Sequence, residues 1–313
     1  MGMGDYPRTI MELERRFSSQ EACRQYLYDL RWPDGFCCPR CGHHVAWYMS
    51  RELYLCSGCR FQVSVTAGTI FQDTRKPLML WFRAMWYVTS QKQGMSALGL
   101  KRVLGLGSYE TAWTWLHKLR RAMVRPGRDR LSGTVEVDEV YIGGVKKGKR
   151  GRGADGKALV LVVAEKAGRR IGRIRLHRVD DASSVSLIPA VKMCVEPRSL
   201  VRTDGWSGYL PLSSQNYVHN VIRKDVDIGY NLLPLVNRVA SLLKRWLLGT
   251  HQGAVRMSHL DYYLDEYTFR FNRRTSKSRG KLFYRLMEQA IAIDPITGHQ
   301  IRGGSRNHDN HNM

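Results

Sequence analysis

Acidic residues are scarce in this chain: 27 Asp and Glu stand against 50 Lys and Arg, for a formal net charge of +23. With the basic residues spread along the chain, most of the surface is expected to be positive and the expected partner is a polyanion. No apolar run reaches about 18 residues, which excludes a simple membrane-spanning helix, and no basic amphipathic anchor stands out. The start, Met-Gly-Met-Gly-Asp-Tyr-Pro, has no charged beginning followed by an apolar stretch. A secretory leader is therefore not expected, and the chain is expected in the cytoplasm. Cysteines number only seven, and in a reducing compartment they are poor material for a disulfide framework.

What is present is ample apolar residue, 43% of 313, enough for a sizeable core and for two or more domains. From residue 1 to about 30, Leu13, Phe17, Cys23, Tyr26, Leu27 and Leu30 recur at helical spacing and predict one buried stripe. Two C-x₂-C pairs follow, Cys38 with Cys41 and Cys56 with Cys59, separated by residues 42–55. That spacing suits two knuckles clamping one tetrahedral Zn²⁺ through four thiolates. Gly42 and Gly58 fit the tight turns, which call for left-handed backbone near the ligands. Cys23, Cys37 and Cys194 have no partner pattern and read as small packing residues.

From Pro77 to about Val124 the pattern is helical and rich in tryptophan. Residues 93–121 read as helix, glycine turn, helix, with Ser108 placed to cap the second. These are the proportions of a helix-turn-helix whose second helix enters a major groove, with Lys118, Arg120 and Arg121 as candidate DNA contacts. Trp113 and Trp115 read as core residues rather than base-stacking platforms.

Beyond Pro126 the period changes to two. Strands are predicted at 134–141, 158–165, 170–179 and 200–203, a helix at 182–193, a short strand at 217–222, and helices at 235–248 and 259–270. This order predicts a mixed α/β sheet. Asp138 and Asp204 each close a strand just before a turn, where a sheet can hold a carboxylate fixed against a divalent ion. Glu136 shares a strand face with Asp138, where it can either help at a metal site or pair with a nearby lysine, pairing being the favoured expectation, while Glu139 is expected to point to the other face. Between the first two strands, Lys146, Lys147, Lys149, Arg150 and Arg152 sit in a glycine-rich stretch suited either to solvent or to a phosphate chain. Carboxylates gathered in a basic chain suit phosphoryl transfer on nucleic acid, which needs positive surface for the backbone and acids for the ions.

Taken jointly, C-P-x-C-G and C-x-x-C, the run from Phe61 to Phe71 that ends Gly-Thr-Ile-Phe, V-x-V-D-E-x-Y-x-G-G at 135–144, T-D-G-x-x-x-Y at 203–209, L-L-K-R-W at 242–246 and Y-L-D-E-Y-x-F-R-F-N-R-R at 263–274 resemble one family. It is the bacterial insertion-sequence transposases that carry a zinc ribbon and a ribonuclease H-like, integrase-like core, and the likeness spans residues 30–290. A multidomain α/β protein is expected: from pattern an N-terminal helical segment at 1–30, then the zinc ribbon at 31–72, a helix-turn-helix-like segment at 73–128 and the ribonuclease H-like catalytic domain at 129–290 that the resemblance implies, and from composition a disordered tail at 291–313. The resemblance also implies that Asp138, Asp204 and a third residue bind Mg²⁺ or Mn²⁺. Where many relatives carry Glu, seven residues before a Lys, this chain has Asn237 and Lys244, with Arg245 beside them. Seven residues is close to two helical turns, so both side chains share a face. Asn offers a neutral oxygen, so metal should bind more weakly than with three acids. Asp265 and Glu266 are the rival third ligands, read more simply as acids on an exposed helix face. His251 and His259 read as polar surface or capping residues. The implied activity is cleavage at terminal inverted repeats and strand transfer into target DNA by a homo-oligomer on double-stranded DNA, located in the cytoplasm at the nucleoid. A catalytically inactive DNA-binding regulator, or a structure-specific nuclease on the same fold, are the alternatives.

Overall fold

Thr9 and Ser19 divide the N-terminal stripe into two helices where its spacing suggested one. In the computed structural model, which describes residues 6–125, 127–143, 157–223, 231–253 and 255–303, α1 (Ile10–Arg16) is capped by the Thr9 hydroxyl and α2 (Gln20–Arg31) by the Ser19 hydroxyl. A hydroxyl that accepts the Ala22 N–H starts a new helix more readily than it sits inside a continuing one. The stripe survives the break: Leu13, Phe17, Cys23, Tyr26 and Leu27 are all buried. Three short antiparallel strands follow, β1 (Ala46–Met49), β2 (Leu53–Cys56) and β3 (Gln62–Val63), in the order β1-β2-β3. Then come α3 (Leu78–Ser90), α4 (Ala97–Leu104) and α5 (Tyr109–Ala122). Ser108 caps α5 through the Thr111 N–H, and Gly105 ends α4 in the left-handed conformation. Trp115 is core, stacked on Trp81 with ring centres 3.8 Å apart.

The second unit is built on a five-stranded sheet of β4 (Thr134–Ile142), β5 (Ala158–Ala167), β6 (Arg170–Val179), β7 (Leu200–Thr203) and β8 (Val218–Val221), in the order β6-β5-β4-β7-β8. The first three form an antiparallel meander, and β7 and β8 add in parallel with β4. The helix α6 (Ser184–Cys194) connects β6 to β7, while α7 (Pro234–His251) and α8 (Leu260–Asn272) follow the sheet. Each face of the sheet has its own core. Val135, Val137, Leu161 and Val163 pack with Leu187 and Val191 of α6, whereas Ile142, Val160 and Val162 pack with Val236, Val239 and Leu243 of α7. The alternation of strand residues assigns every β4 side chain to one face or the other.

The last helices, α9 (Arg279–Ala292) and α10 (Gly298–Arg302), belong with the N-terminal elements. The described residues of Met1–Arg125 and Ser276–Asn307 form one unit and those of Pro126–Thr275 the other. This differs from a catalytic segment reaching residue 290. Phe283 of α9 lies against the rings of Phe17, Phe82 and Trp86, so the apolar face of this helix is filled by the N-terminal unit. Residues 298–302, in the segment expected to be disordered, form a capped helix with a Thr297–Gln300 capping box and an Arg302–Glu110 ion pair.

Candidate metal centres

The ribbon knuckles repeat one another. Gly42 N–H donates to the Cys38 carbonyl at 2.9 Å and Arg60 N–H to the Cys56 carbonyl at 3.0 Å, and the residue after each second cysteine is left-handed, with φ of +73° at Gly42 and +60° at Arg60. The second left-handed position is thus Arg60 rather than Gly58. What Gly58 supplies is room, because a Cβ there would lie 3.2 Å from the His43 ring. The Sγ atoms of Cys38 and Cys59, and of Cys41 and Cys56, are each 3.6 Å apart, and all four ligand atoms fall within 4.8 Å of one another. A tetrahedron of thiolates around Zn²⁺ at about 2.3 Å has edges of roughly 3.8 Å, so the donor set fits zinc in number, kind and spacing. Burial works against the Cys38 thiolate, yet the backbone N–H groups of Arg40 and Cys41 and the neighbouring thiols lower it to about 7. Among the described residues no other set of three or more His, Cys, Asp or Glu converges this tightly. Cys23 and Cys194 are buried packing residues, and all seven cysteines are free of disulfides.

On the sheet, β4 and β7 are parallel neighbours, with Thr134 opposite Leu200, Val135 opposite Val201 and Glu136 opposite Arg202. The same offset carried two residues further sets Asp138 level with Asp204, the residue after the end of β7, on strands about 4.8 Å apart. Asp138 also lies opposite Val162, which packs under α7. It therefore belongs to the α7 face, as does Arg202 opposite Glu136, and Asp204 follows β7 by one residue. Asp138 does not close its strand as expected: β4 continues to Ile142, because pairing with β5 runs on past it, and Asp138 is half-buried at mid-strand, while Asp204 is exposed just past the end of β7.

The turn after Asp204 is held by its own motif. Asp204 Oδ1 accepts the Trp206 N–H at 3.0 Å, Gly205 takes φ +86°, and the Trp206 indole donates to the Ala182 carbonyl at 2.7 Å. Tyr209, in the 3₁₀ segment that follows and fully buried, donates its hydroxyl to Glu139 Oε2 at 2.8 Å. Burial, then the carboxylates of Glu139, Asp138 and Asp204, hold the Tyr209 hydroxyl well above its usual range. One buried phenol thus ties the Asp204 turn to the strand that carries Asp138. Glu139 does point away from the α7 face, as alternation requires. The role of Tyr209 was open to view as the last residue of T-D-G-x-x-x-Y, but nothing in the sequence names its partner.

Among the described residues Glu136 has no ion pair with a lysine. Its Oε2 accepts the backbone N–H groups of Leu235 at 2.7 Å and Val236 at 3.2 Å, across about a hundred residues, at the first turn of α7. Burial pushes its carboxyl up, while those N–H groups and the charges of Arg202 and Lys166 pull it down. Asn237 is the next residue of α7 and is exposed, and its amide nitrogen donates to Asn231 Oδ1 at 2.8 Å. Lys244, two turns along, is exposed with Arg245. Desolvation along the stem and then nearby Lys157 lower the Lys244 ammonium from its ordinary value.

Several other candidates fall elsewhere. Asp265 and Glu266 are buried rather than exposed. Glu266, 1% exposed, is paired at 2.7 Å with Arg270 one turn on, because α8 packs more than one face and a buried acid needs a cation. His259 is buried as well, with Nδ1 3.1 Å from the Ser258 hydroxyl. Arg120, 1% exposed, is a core residue and cannot reach DNA. Lys118 is half-buried, turned to the Ile70 carbonyl at 3.4 Å, with its ammonium lowered by burial. Arg121 is half-buried at the end of α5. Lys146, Lys147, Lys149, Arg150 and Arg152 lie outside the described residues. Among the described residues no helix is long and apolar enough to cross a membrane.

Two family models match this chain. The transposase zinc-ribbon domain covers residues 18–62, and the ISXO2-like transposase domain covers residues 130–272. The chain is also similar to a protein of Halobacterium salinarum named "Uncharacterized protein in transposable element ISH50". The two are 29% identical over 297 residues, which is 85% of this chain and 95% of that protein.

Proposed function

We propose that this chain, which belongs with the insertion-sequence transposases bearing an N-terminal zinc ribbon, is a metal-dependent polynucleotidyl transferase that binds the inverted repeats at the ends of its element, cuts there and joins the ends to target DNA. The observation that supports this reading is the parallel pairing of β4, which carries Asp138, with β7, which ends one residue before Asp204, on the sheet that packs under the helix bearing Asn237. Two carboxylates and an amide carbonyl are hard oxygen donors, the kind Mg²⁺ and Mn²⁺ prefer. When bound, such ions would lower the pKa of an attacking water and stabilise a leaving 3′ oxygen.

The rest falls to the chain's own groups. Asp138, held on a central strand, and Asp204, held by the Trp206 and Tyr209 bonds, would present two fixed negative charges. Asn237, its nitrogen engaged by Asn231, would turn its oxygen towards them. Lys244 and Arg245 on the solvent side of α7 would hold DNA phosphates as the strand enters. The ribbon, the α4–α5 hairpin and the basic stretch at 146–152 would recognise the ends of the element in the nucleoid. Joining two ends in one event calls for more than one copy of the chain.

The test is a strand-transfer assay with Mg²⁺ or Mn²⁺ on DNA carrying candidate inverted repeats. Joined product that disappears with Asp138→Ala, while repeat binding persists, is the expected result. Tight binding with no nicking by the unsubstituted protein would instead make it a regulator, a reading that the neutral Asn237 favours. Cutting of branched DNA without joining would make it a nuclease.

A further inference from the structure

The first turn of α7 has three N–H positions that no intrahelical carbonyl can serve. Pro234 fills the first and has no N–H, which suits that position. Leu235 and Val236 fill the next two, and Leu233 at the N-cap has no side-chain oxygen to offer them. Both N–H groups go to one atom, Oε2 of Glu136, and the next, that of Asn237, starts the helical ladder to the Leu233 carbonyl at 3.1 Å. The helix is capped by a residue of the sheet rather than by its own neighbour. Glu136 is buried and sits two residues from Asp138 on the same face of β4.

From this geometry we infer that Glu136 is a positioning residue: it docks the start of α7 on β4 and so fixes Asn237 relative to Asp138. The inference rests on the proposed metal site and adds to it a residue that binds neither ion nor DNA. A single bond to one N–H would leave the helix free to swivel. Two bonds from consecutive N–H groups to one buried oxygen pin the first turn to the strand, and with Val236, Val239 and Leu243 packed on the sheet they restrict the rotation of the helix about its axis. Rotation decides whether residue 237 faces the strand tip or solvent, since each residue advances about 100° around a helix. The carboxylate also complements the positive end of the helix dipole, so the same group orients α7 and holds it.

The experiment uses the full-length, zinc-loaded protein and Mn²⁺ as the probe. Free Mn²⁺ is followed by electron paramagnetic resonance, and amide hydrogen exchange is followed across residues 231–240. Four proteins are compared: unsubstituted, Asp138→Ala, Glu136→Ala and Glu136→Gln. Loss of an outer group that orients a metal ligand costs about 10–100-fold in affinity, so Glu136→Ala is expected to weaken Mn²⁺ binding by at least tenfold. It should also speed exchange at Leu235 and Val236 by at least tenfold. Glu136→Gln keeps a carbonyl oxygen for the two N–H groups and is expected to stay within a few-fold of the unsubstituted protein in both readouts. If Glu136→Ala does not fold, the Gln protein alone decides, since loss of Mn²⁺ binding with protected amides would mean that Glu136 is itself a ligand and would overturn the inference. Unchanged Mn²⁺ affinity in Glu136→Ala would overturn it too, provided Asp138→Ala abolishes binding. If Asp138→Ala leaves Mn²⁺ binding intact, the metal site itself is wrong, and the inference falls with it by a different pattern of results.

Discussion

Tyr209→Phe removes one oxygen from the centre of the second unit and leaves the ring in place. The hydroxyl is fully buried and donates at 2.8 Å to Glu139 Oε2. A buried hydrogen bond to a charged acceptor contributes about 1.5–3 kcal/mol, and its loss leaves the carboxylate oxygen without that donor. For a unit of this size each kcal/mol moves the midpoint by about 2–4 °C, so Tm should fall by roughly 3–12 °C. The pH dependence has a definite sign. Burial and three nearby carboxylates raise the folded-state pKa of Tyr209 far above that of an exposed tyrosine. Its contribution is therefore whole below the ordinary tyrosine pKa of about 10, and declines as pH rises beyond it, because the unfolded chain loses this proton first. The gap between the unsubstituted protein and Tyr209→Phe should stay constant from pH 6 to 9 and narrow above pH 10. Calorimetry of both proteins across that range is the assay. Equal melting temperatures at pH 7 would refute the claim that this bond ties the Asp204 turn to β4.

Cys41→Ser should lower zinc content from one ion per chain towards none and unfold the ribbon while the signals of the second unit persist, because thiolate sites of this kind supply folding energy directly; atomic absorption beside amide NMR reads both, and full zinc content would rule out the four-thiolate centre. Arg270→Ala leaves Glu266 charged and buried without its partner at 2.7 Å, and should destabilise the second unit by about 3–5 kcal/mol. The double change Arg270→Leu with Glu266→Leu should recover most of that loss in urea unfolding, and no recovery would mean that the single change acts through packing alone.

Much of the architecture was legible because it is local. The strands at Arg170–Val179 and Leu200–Thr203 coincide with the runs read for them, since strand propensity and bounding turns act over a few residues. The zinc ligands were legible because knuckle spacing is a property of short chain segments. The break between α1 and α2 is also written locally, in Thr9 and Ser19, although the apolar stripe runs through it. Burial of charged residues was not legible. Arg120, Asp265 and Glu266 sit on helices whose patterns look amphipathic, yet neighbours from other elements cover the face that should have been wet. Whether a polar side chain is inside depends on what packs over it, and that is not a property of the segment.

The sequence by itself determined the ribbon's four thiolates, the order of strands and helices in the second half, and the residue types at 138, 204, 237 and 244, because spacing, alternation and turn chemistry act over a few residues. Tertiary structure alone decided that β4 pairs in parallel with β7, that Glu136 caps α7, that Tyr209 reaches Glu139, and that the chain from Ser276 returns to the first unit. These are pairings across 66 to about 270 residues. They are selected by the register of parallel strands and by the need of every buried donor and apolar face for a partner, a condition that only the folded whole can satisfy.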